Sequence, residues 1–429
     1  MSKFQFIVIS VFIVCIIAGV IAFATYKGSG KSSSLPNITV WGTFPADVFD
    51  KYISEINNKA SVTLTVIYVQ KKPEQFSGDF IAALAKGTGP DAVLIPLDML
   101  LPHLDKLTLV PYTTLTQRTF MDTYIEESNI YLTDNGILAM PFIVDPLIMY
   151  WNRDMFNASS IATYPKYWDE FNLIIPKLTV RDSDGNVRKS TLAMGDFTNI
   201  TNARELVGSL LMQLNNPVTA YDGQSIKTTI AVSSGSAPQS VFKFFTQFVD
   251  PSSPNYSWNR GMPNDKTAFL SGIGATYFGF ASEIKDIRAK NPNLNFDAAA
   301  LPQVRTGGIK STFGKMYGFS FMKSSPNLST AYQAVSTLVS PTYLPMLVDM
   351  MYLPSIRRDI IAQGSTDPYI DVFNQSALVA NGWLDIEPSK ARQILSSTVQ
   401  DITSGKVTVI EAVGNIEEQY NVLLKEATQ

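Results

Sequence analysis

Histidine and cysteine are nearly absent, one of each in 429 residues. A single cysteine excludes a disulfide framework, and a lone imidazole leaves almost nothing for metal ligation or histidine-dependent base catalysis. Charge is sparse as well: charged residues make up 17% of the chain, and 34 Lys and Arg against 37 Asp and Glu leave a net charge of −3. No basic run occurs, which argues against a nucleic-acid partner held by phosphate neutralisation. Neither H-E-x-x-H nor G-x-S-x-G is present. Ser-x-x-Lys occurs at Ser240, Ser282 and Ser320, a recurrence that reads as coincidence in a serine-rich chain. His103 follows Leu101-Pro102 at the start of a helix, where a capping or surface role is expected. No catalytic residue, metal or cofactor is assigned, although carboxylate pairs of the glycosidase kind are defined by spatial separation and escape a sequence reading.

Apolar residues are plentiful, at 45%, and the length suffices for two or three ordinary domains with a large core. Phe4 to Tyr26 is apolar apart from Gln5, Ser10 and Thr25. As a helix it would measure roughly 34 Å, enough to cross a bilayer. Three fates compete: an uncleaved anchor, a signal peptide cut after Ala22-Phe23-Ala24, and lipidation at Cys15. Phe12-Ile13-Val14 lacks the small residue that lipid processing needs, and the apolar run exceeds a usual signal peptide, so a single-pass anchor spanning 1–26 is favoured. Lys3 on one side and Lys27 and Lys31 on the other leave orientation open. Display of the large domain outside the cytoplasm follows from its character. Residues 27–35 are Gly/Ser-rich and read as a flexible tether.

From Pro36 onward the periodicity is α/β. Ile38 to Trp41 is a short strand, Val48, Phe49, Tyr52, Ile53 and Ile56 recur at helical spacing, and Val62 to Val69 alternates as a second strand. A helix from Gly78 to Lys86 runs into Gly89-Pro90-Asp91 and the strand Ala92 to Ile95. Such alternation implies a doubly wound, mostly parallel sheet, with ligands beyond the carboxyl ends of its strands. Arg181 to Asn186 resembles a calcium loop in its acids, but glycine stands at the fourth place and Ala193 where the bidentate acid belongs, so an Asp-Gly hairpin is expected.

The stretch ILAMPFIVDPLIMYWNRDMF, Ile137 to Phe156, organises the rest. It reads as two apolar strands split at Val144-Asp145-Pro146, because proline withholds its amide from a ladder and steers the residue before it away from helix. A change of direction and a hinge are expected at Asp145.

MPFIVDPLIMYWNRDMF, together with ITVWGTF near the first strand and FIAALAKGTGPDAVLI at the second helix, resembles the extracellular solute-binding proteins of ABC importers, the family that includes maltose-binding protein. The resemblance runs from Ile38 essentially to the end of the chain. It implies a two-lobed periplasmic-binding-protein fold of type II behind the N-terminal transmembrane helix, with three crossings near Asp145, Glu283 and Ser340. Lobe 1 would comprise 36–144 and 284–340, and lobe 2 would comprise 145–283 and 341–429. Leu294 to Pro302 and Gly314 to Met322 would be strands returning to lobe 1.

The function implied is capture of a solute, with a sugar or oligosaccharide expected, for delivery to ABC permease subunits by a monomeric, membrane-tethered receptor. Sugar rings stack on aromatic faces, and their hydroxyls need partners that accept and donate. Loop-borne residues of those types are Trp41, Thr43 and Phe44 in the first loop, Asp98 after the third strand, Asp145 at the hinge, and Asp196 and Asn199. Trp258, Phe278, Phe280, Tyr317 and Trp383 complete the ligand-binding candidates. Two alternatives stay open: a surface enzyme that processes glycans on the same scaffold, and a binding protein that senses without transport.

Overall fold

The computed structural model describes residues 37–59, 64–222, 225–230 and 236–428. The expected anchor and tether lie outside the described residues. Among the described residues, no helix is long and apolar enough to cross a membrane.

The first strand, β1 (Ile38–Gly42), pairs in parallel with β2 (Val66–Gln70) on one side and β3 (Ala92–Pro96) on the other. Helix α1 (Ala46–Lys59) covers them with Phe49, Tyr52, Ile53 and Ile56, a single stripe at helical spacing. Helix α2 (Pro73–Ala85) buries Phe76 and Phe80 and ends before Gly87, whose φ of +68° is the left-handed turn that glycine adopts without strain. The Asp of Gly89-Pro90-Asp91 is a structural knot. One oxygen of Asp91 accepts the Thr39 amide at 2.8 Å, and the other accepts the Ser325 hydroxyl at 2.6 Å. His103 is 2% exposed, edge-on to Phe76 and Phe80 with Nε2 3.1 Å from Ser77 Oγ. The expected surface or capping role is therefore wrong: the second helix supplies an aromatic slot that fills with the imidazole.

The centre of the fold is β4 (Met140–Asn152), an unbroken strand with all thirteen residues buried. The expected split at Asp145 does not occur. Instead the strand changes partners there. Met140 to Pro146 pairs with β7 (Thr312–Met322), while Leu147 to Trp151 pairs with β5 (Thr276–Phe280) and Ile148 to Asn152 with β6 (Phe296–Ala300). Pro146, which has no amide to give, stands at the changeover, where a missing ladder bond costs least.

Two half-sheets result. The first runs β4-β7-β3-β1-β2, and the second is β5-β4-β6. The strand expected to return to the first half at Leu294 is β6, and it pairs in the second half; the chain crosses back only at β7. A further correction concerns residues after Ser340. The helix Leu344–Met351 packs on α1, and the Ile125 amide donates to Ile356 O at 3.1 Å, so this segment still belongs with the first half. The helix Pro368–Leu378 packs on β4 and β6 in the second. Crossing positions depend on which strand edge is free, a long-range matter that local breaks do not encode. The acidic loop at Arg181 to Asn186 is a hairpin, as expected, with Asp182 Oδ1 accepting the amides of Asp184 and Asn186.

Candidate functional site

Strand β7 starts against the second half, where the Thr312 hydroxyl donates to Leu147 O at 2.6 Å, and runs on into the first half-sheet, and alternation places Phe313, Lys315 and Tyr317 on one of its faces. Six of the twelve predicted residues, Phe44, Asp98, Asp145, Phe280, Tyr317 and Trp383, lie on or against that face. At the first-half end, Tyr317 meets Phe44 edge-to-face with ring centroids 5.6 Å apart. Phe44 itself is 1% exposed and also packs on Phe142, so it backs Tyr317 rather than fronting the cleft. Trp41 is half-buried under the Lys71 ammonium, 4.2 Å from its ring. The buried Thr43 hydroxyl has no hydrogen-bond partner among the described residues.

At the crossing, Asp145 Oδ1 accepts the Ser282 amide at 3.0 Å. Burial pushes its carboxyl up to about 6, against the lowering effect of that bond and of Lys315. Lys315 lies between Asp145, Asp98 and Tyr317. Burial disfavours its charge, but Tyr317 and the two carboxylates outweigh that and hold its ammonium above the usual range.

At the second-half end, Phe313 packs on Trp383 at 5.1 Å and on Phe280 at 6.1 Å. Arg204, on helix α3 (Ala203–Gln213), lies over Trp383 at 4.9 Å and pairs with Asp385 at 2.7 Å, Glu205 at 2.9 Å and Asp98 at 3.1 Å. Asn202 Nδ2, donating to Phe278 O at 3.0 Å, and Gln213 Nε2, donating to Pro302 O at 2.9 Å, tie α3 to the second half. Asp98 belongs to the first. The ion pair therefore closes the gap between the halves, and no space large enough for a water molecule remains among Asp98, Phe313, Lys315 and Trp383.

Four candidates fall elsewhere. Asp196 Oδ1 accepts the amides of Phe197 and Thr198, and Oδ2 pairs with Arg260 at 2.6 Å. Asn199 donates to the carbonyls of Asn259 and Met262 and accepts the Trp258 indole N–H at 2.8 Å. Trp258 is 1% exposed and has no face left for a ring to stack on. Phe278 is 4% exposed and packs on Trp168 at 5.5 Å. Trp383, though it touches the β7 face, is fully buried, with its indole N–H donated to Asp385 at 3.1 Å.

Sequence reasoning missed Lys315, Arg204 and Asp385. Lys315 was recoverable, because it sits two residues before Tyr317 on a strand. Arg204 carried no signal, lying in an apolar helix among Leu206, Leu210 and Leu211 where an arginine reads as a solvated edge.

A long strand shared by two half-sheets, with a polar and aromatic seam at the crossing, is the architecture of a hinged binding protein. The model of the bacterial extracellular solute-binding proteins matches residues 51–368, well over half of the chain. The chain belongs to that family. Solved structures agree on the two-lobed fold of this solute-binding protein. The sugar-binding protein MalE from Xanthomonas citri matches with a TM-score of 0.74 at 16% identity, over 91% of this chain and 98% of that one. The cyclic alpha-maltosyl-1,6-maltose binding protein from Arthrobacter globiformis matches at 0.71 and 18%, over 91% and 99%. An ABC substrate-binding protein from Listeria monocytogenes in complex with cycloalternan matches at 0.68 and 15%, again over 91% and 99%. Comparison with curated protein sequences gives no match.

Proposed function

We propose that this solute-binding protein captures a carbohydrate between its two lobes outside the cytoplasm and passes it to the permease subunits of an ABC importer. The observation that carries the reading is the seam along β7: an aromatic end at Tyr317, a charged middle where Lys315 meets Asp98 and Asp145, and an aromatic end where Phe313 meets Phe280. Aromatic faces next to carboxylate and ammonium groups suit a ring whose faces are apolar and whose edges carry hydroxyls. Several of the similar folds are named for carbohydrates, including maltotetraose and mannotriose complexes, which agrees with that chemistry. Trp41, Asp98, Asp145, Phe280, Lys315 and Tyr317 form the proposed ligand set. The proposed tether is the apolar segment 4–26, and binding alone, without turnover, is the proposed activity.

A thermal-shift screen tests this. A ligand at a thousand times its dissociation constant stabilises the native state by about 4 kcal/mol, a readily visible rise. Mono- and oligosaccharides would be run beside amino acids, peptides and polyamines. Hits confined to peptides or polyamines would overturn the carbohydrate assignment, and product in the hit mixtures would favour an enzyme.

A further inference from the structure

Of the buried acids outside the ligand set, one has no hydrogen-bond partner among the described residues. Glu127, on the turn Glu126–Tyr131, is 4% exposed, and among the described residues neither carboxylate oxygen has a hydrogen-bond partner. Two glycines make its space: a Cβ at Gly314 would collide with Oε2, and one at Gly382 would stand 2.8 Å from Oε1. The Tyr131 hydroxyl on the same turn is also buried without a partner among the described residues. A charged carboxylate is not tolerated in such surroundings, so the group is neutral whenever it is enclosed.

The enclosure is built from both sides of the hinge. Gly314 pairs with Pro146 at the changeover of β4, and Gly382 follows β8 (Ala380–Asn381), which pairs with the start of β7. The Leu97 side chain, from the first half, closes on the same Gly382 position. Beyond Gly382 the chain runs directly into Trp383 and Asp385, which hold Arg204 of the second half. Of the titratable groups, Asp98 faces Glu127 from the turn after β3, and Tyr131 from its own turn. Strand β7 offers Gly314 here, since Lys315 lies on its other face, and the segment after it offers Ala380 and Gly382. Burial, and then the Asp98 charge, push the Glu127 carboxyl well above the usual range.

We propose that Glu127 is a proton-binding site coupled to the hinge: the closed protein takes up one proton at this carboxyl, and separation of the lobes hydrates the group and releases that proton to water. This rests on the hinged reading above. By linkage, acid favours the closed form, and a solute that closes the cleft draws a proton from solution.

The test uses the full chain in lipid nanodiscs, with Cys15→Ser and dyes at Ile81→Cys and Leu173→Cys, both exposed positions. Inter-dye distance is followed from about pH 8 to about pH 5 without solute, and at neutral pH with maltotetraose or mannotriose. One linked proton raises the closed-to-open ratio by at most about tenfold per pH unit. The wild type should show such a rise, and Glu127→Gln should stay closed with less than about a twofold change. Gly382→Ala, which crowds the carboxyl, should move the closing midpoint to lower pH by about one unit, and it keeps the test alive if the glutamine variant does not fold. A wild-type response retained in Glu127→Gln, or an unmoved midpoint in Gly382→Ala, would overturn the proposal. Distances that respond to sugar but not to pH would overturn the proton site and leave the hinge intact, whereas no response to either would overturn both.

Discussion

The Arg204 guanidinium reaches the Asp98 carboxylate at 3.1 Å across the gap between the lobes, while Asp385, from its own side, holds it at 2.7 Å. Arg204 is 4% and Asp385 0% exposed at the side chain. Buried pairs of this kind add little over an apolar filling, but removing one partner strands the other charge. Arg204→Ala is therefore expected to cost about 3–5 kcal/mol in urea unfolding. Asp98→Asn should cost much less, since Arg204 keeps Asp385. Equal losses for the two variants would mean that Asp385 is not the principal partner.

The β7 face provides a direct test of the site. Lys315→Met and Tyr317→Ala each remove one group whose partners lie on that face, so affinity for any carbohydrate hit should fall at least about tenfold, a loss of about 1.4 kcal/mol or more. Calorimetric titration measures it. Unchanged affinity in both variants would place the ligand away from β7.

Trp258 discriminates core from cleft. Its indole is buried and bonded to Asn199. Trp258→Ala should lose about 3–5 kcal/mol of stability and leave Asn199 without its donor. Where the variant remains folded, ligand affinity should stay within about twofold of wild type. A large affinity loss with little change in melting temperature would restore Trp258 to the ligand set.

Acid should act on the fold in two opposed ways. Burial lowers His103 to about 4, so between the ordinary histidine value and that value the folded chain binds fewer protons than the unfolded chain. That contribution is present above about pH 6.5 and is lost as pH falls, by at most about 3 kcal/mol. Burial raises Asp145 to about 6, so the folded chain binds more protons in its window. That contribution is full below about pH 4 and is lost as pH rises through about 6. Urea unfolding near pH 7 and near pH 4.5 separates them. His103→Gln should lose less stability than wild type on acidification, and Asp145→Asn should lose more. Parallel pH profiles for all three proteins would show that neither group is buried as described.

Much of this protein is decided locally. Helical spacing in α1, the glycine end of α2, the short strand β1 and the Asp-Gly hairpin depend on residues within a few positions of one another, and each formed where its pattern lies. The run Ile137 to Phe156 likewise marked the centre of the fold, because thirteen consecutive buried residues need a sheet on both sides. What local pattern left undecided is which edge each strand finds. Pro146 was legible as an interruption, yet β4 stays continuous because new partners take over from Leu147 onward. The same holds for the aromatics. Trp258 and Tyr317 look alike as sequence, but one is enclosed by Asn199 and the other lies on the face of the crossing strand. Arg204, Asp98 and Asp385 are drawn together from three distant segments. A side chain's neighbours across such distances are set by how the halves dock, so burial and charge pairing, unlike helix or strand, were determined only by the tertiary structure.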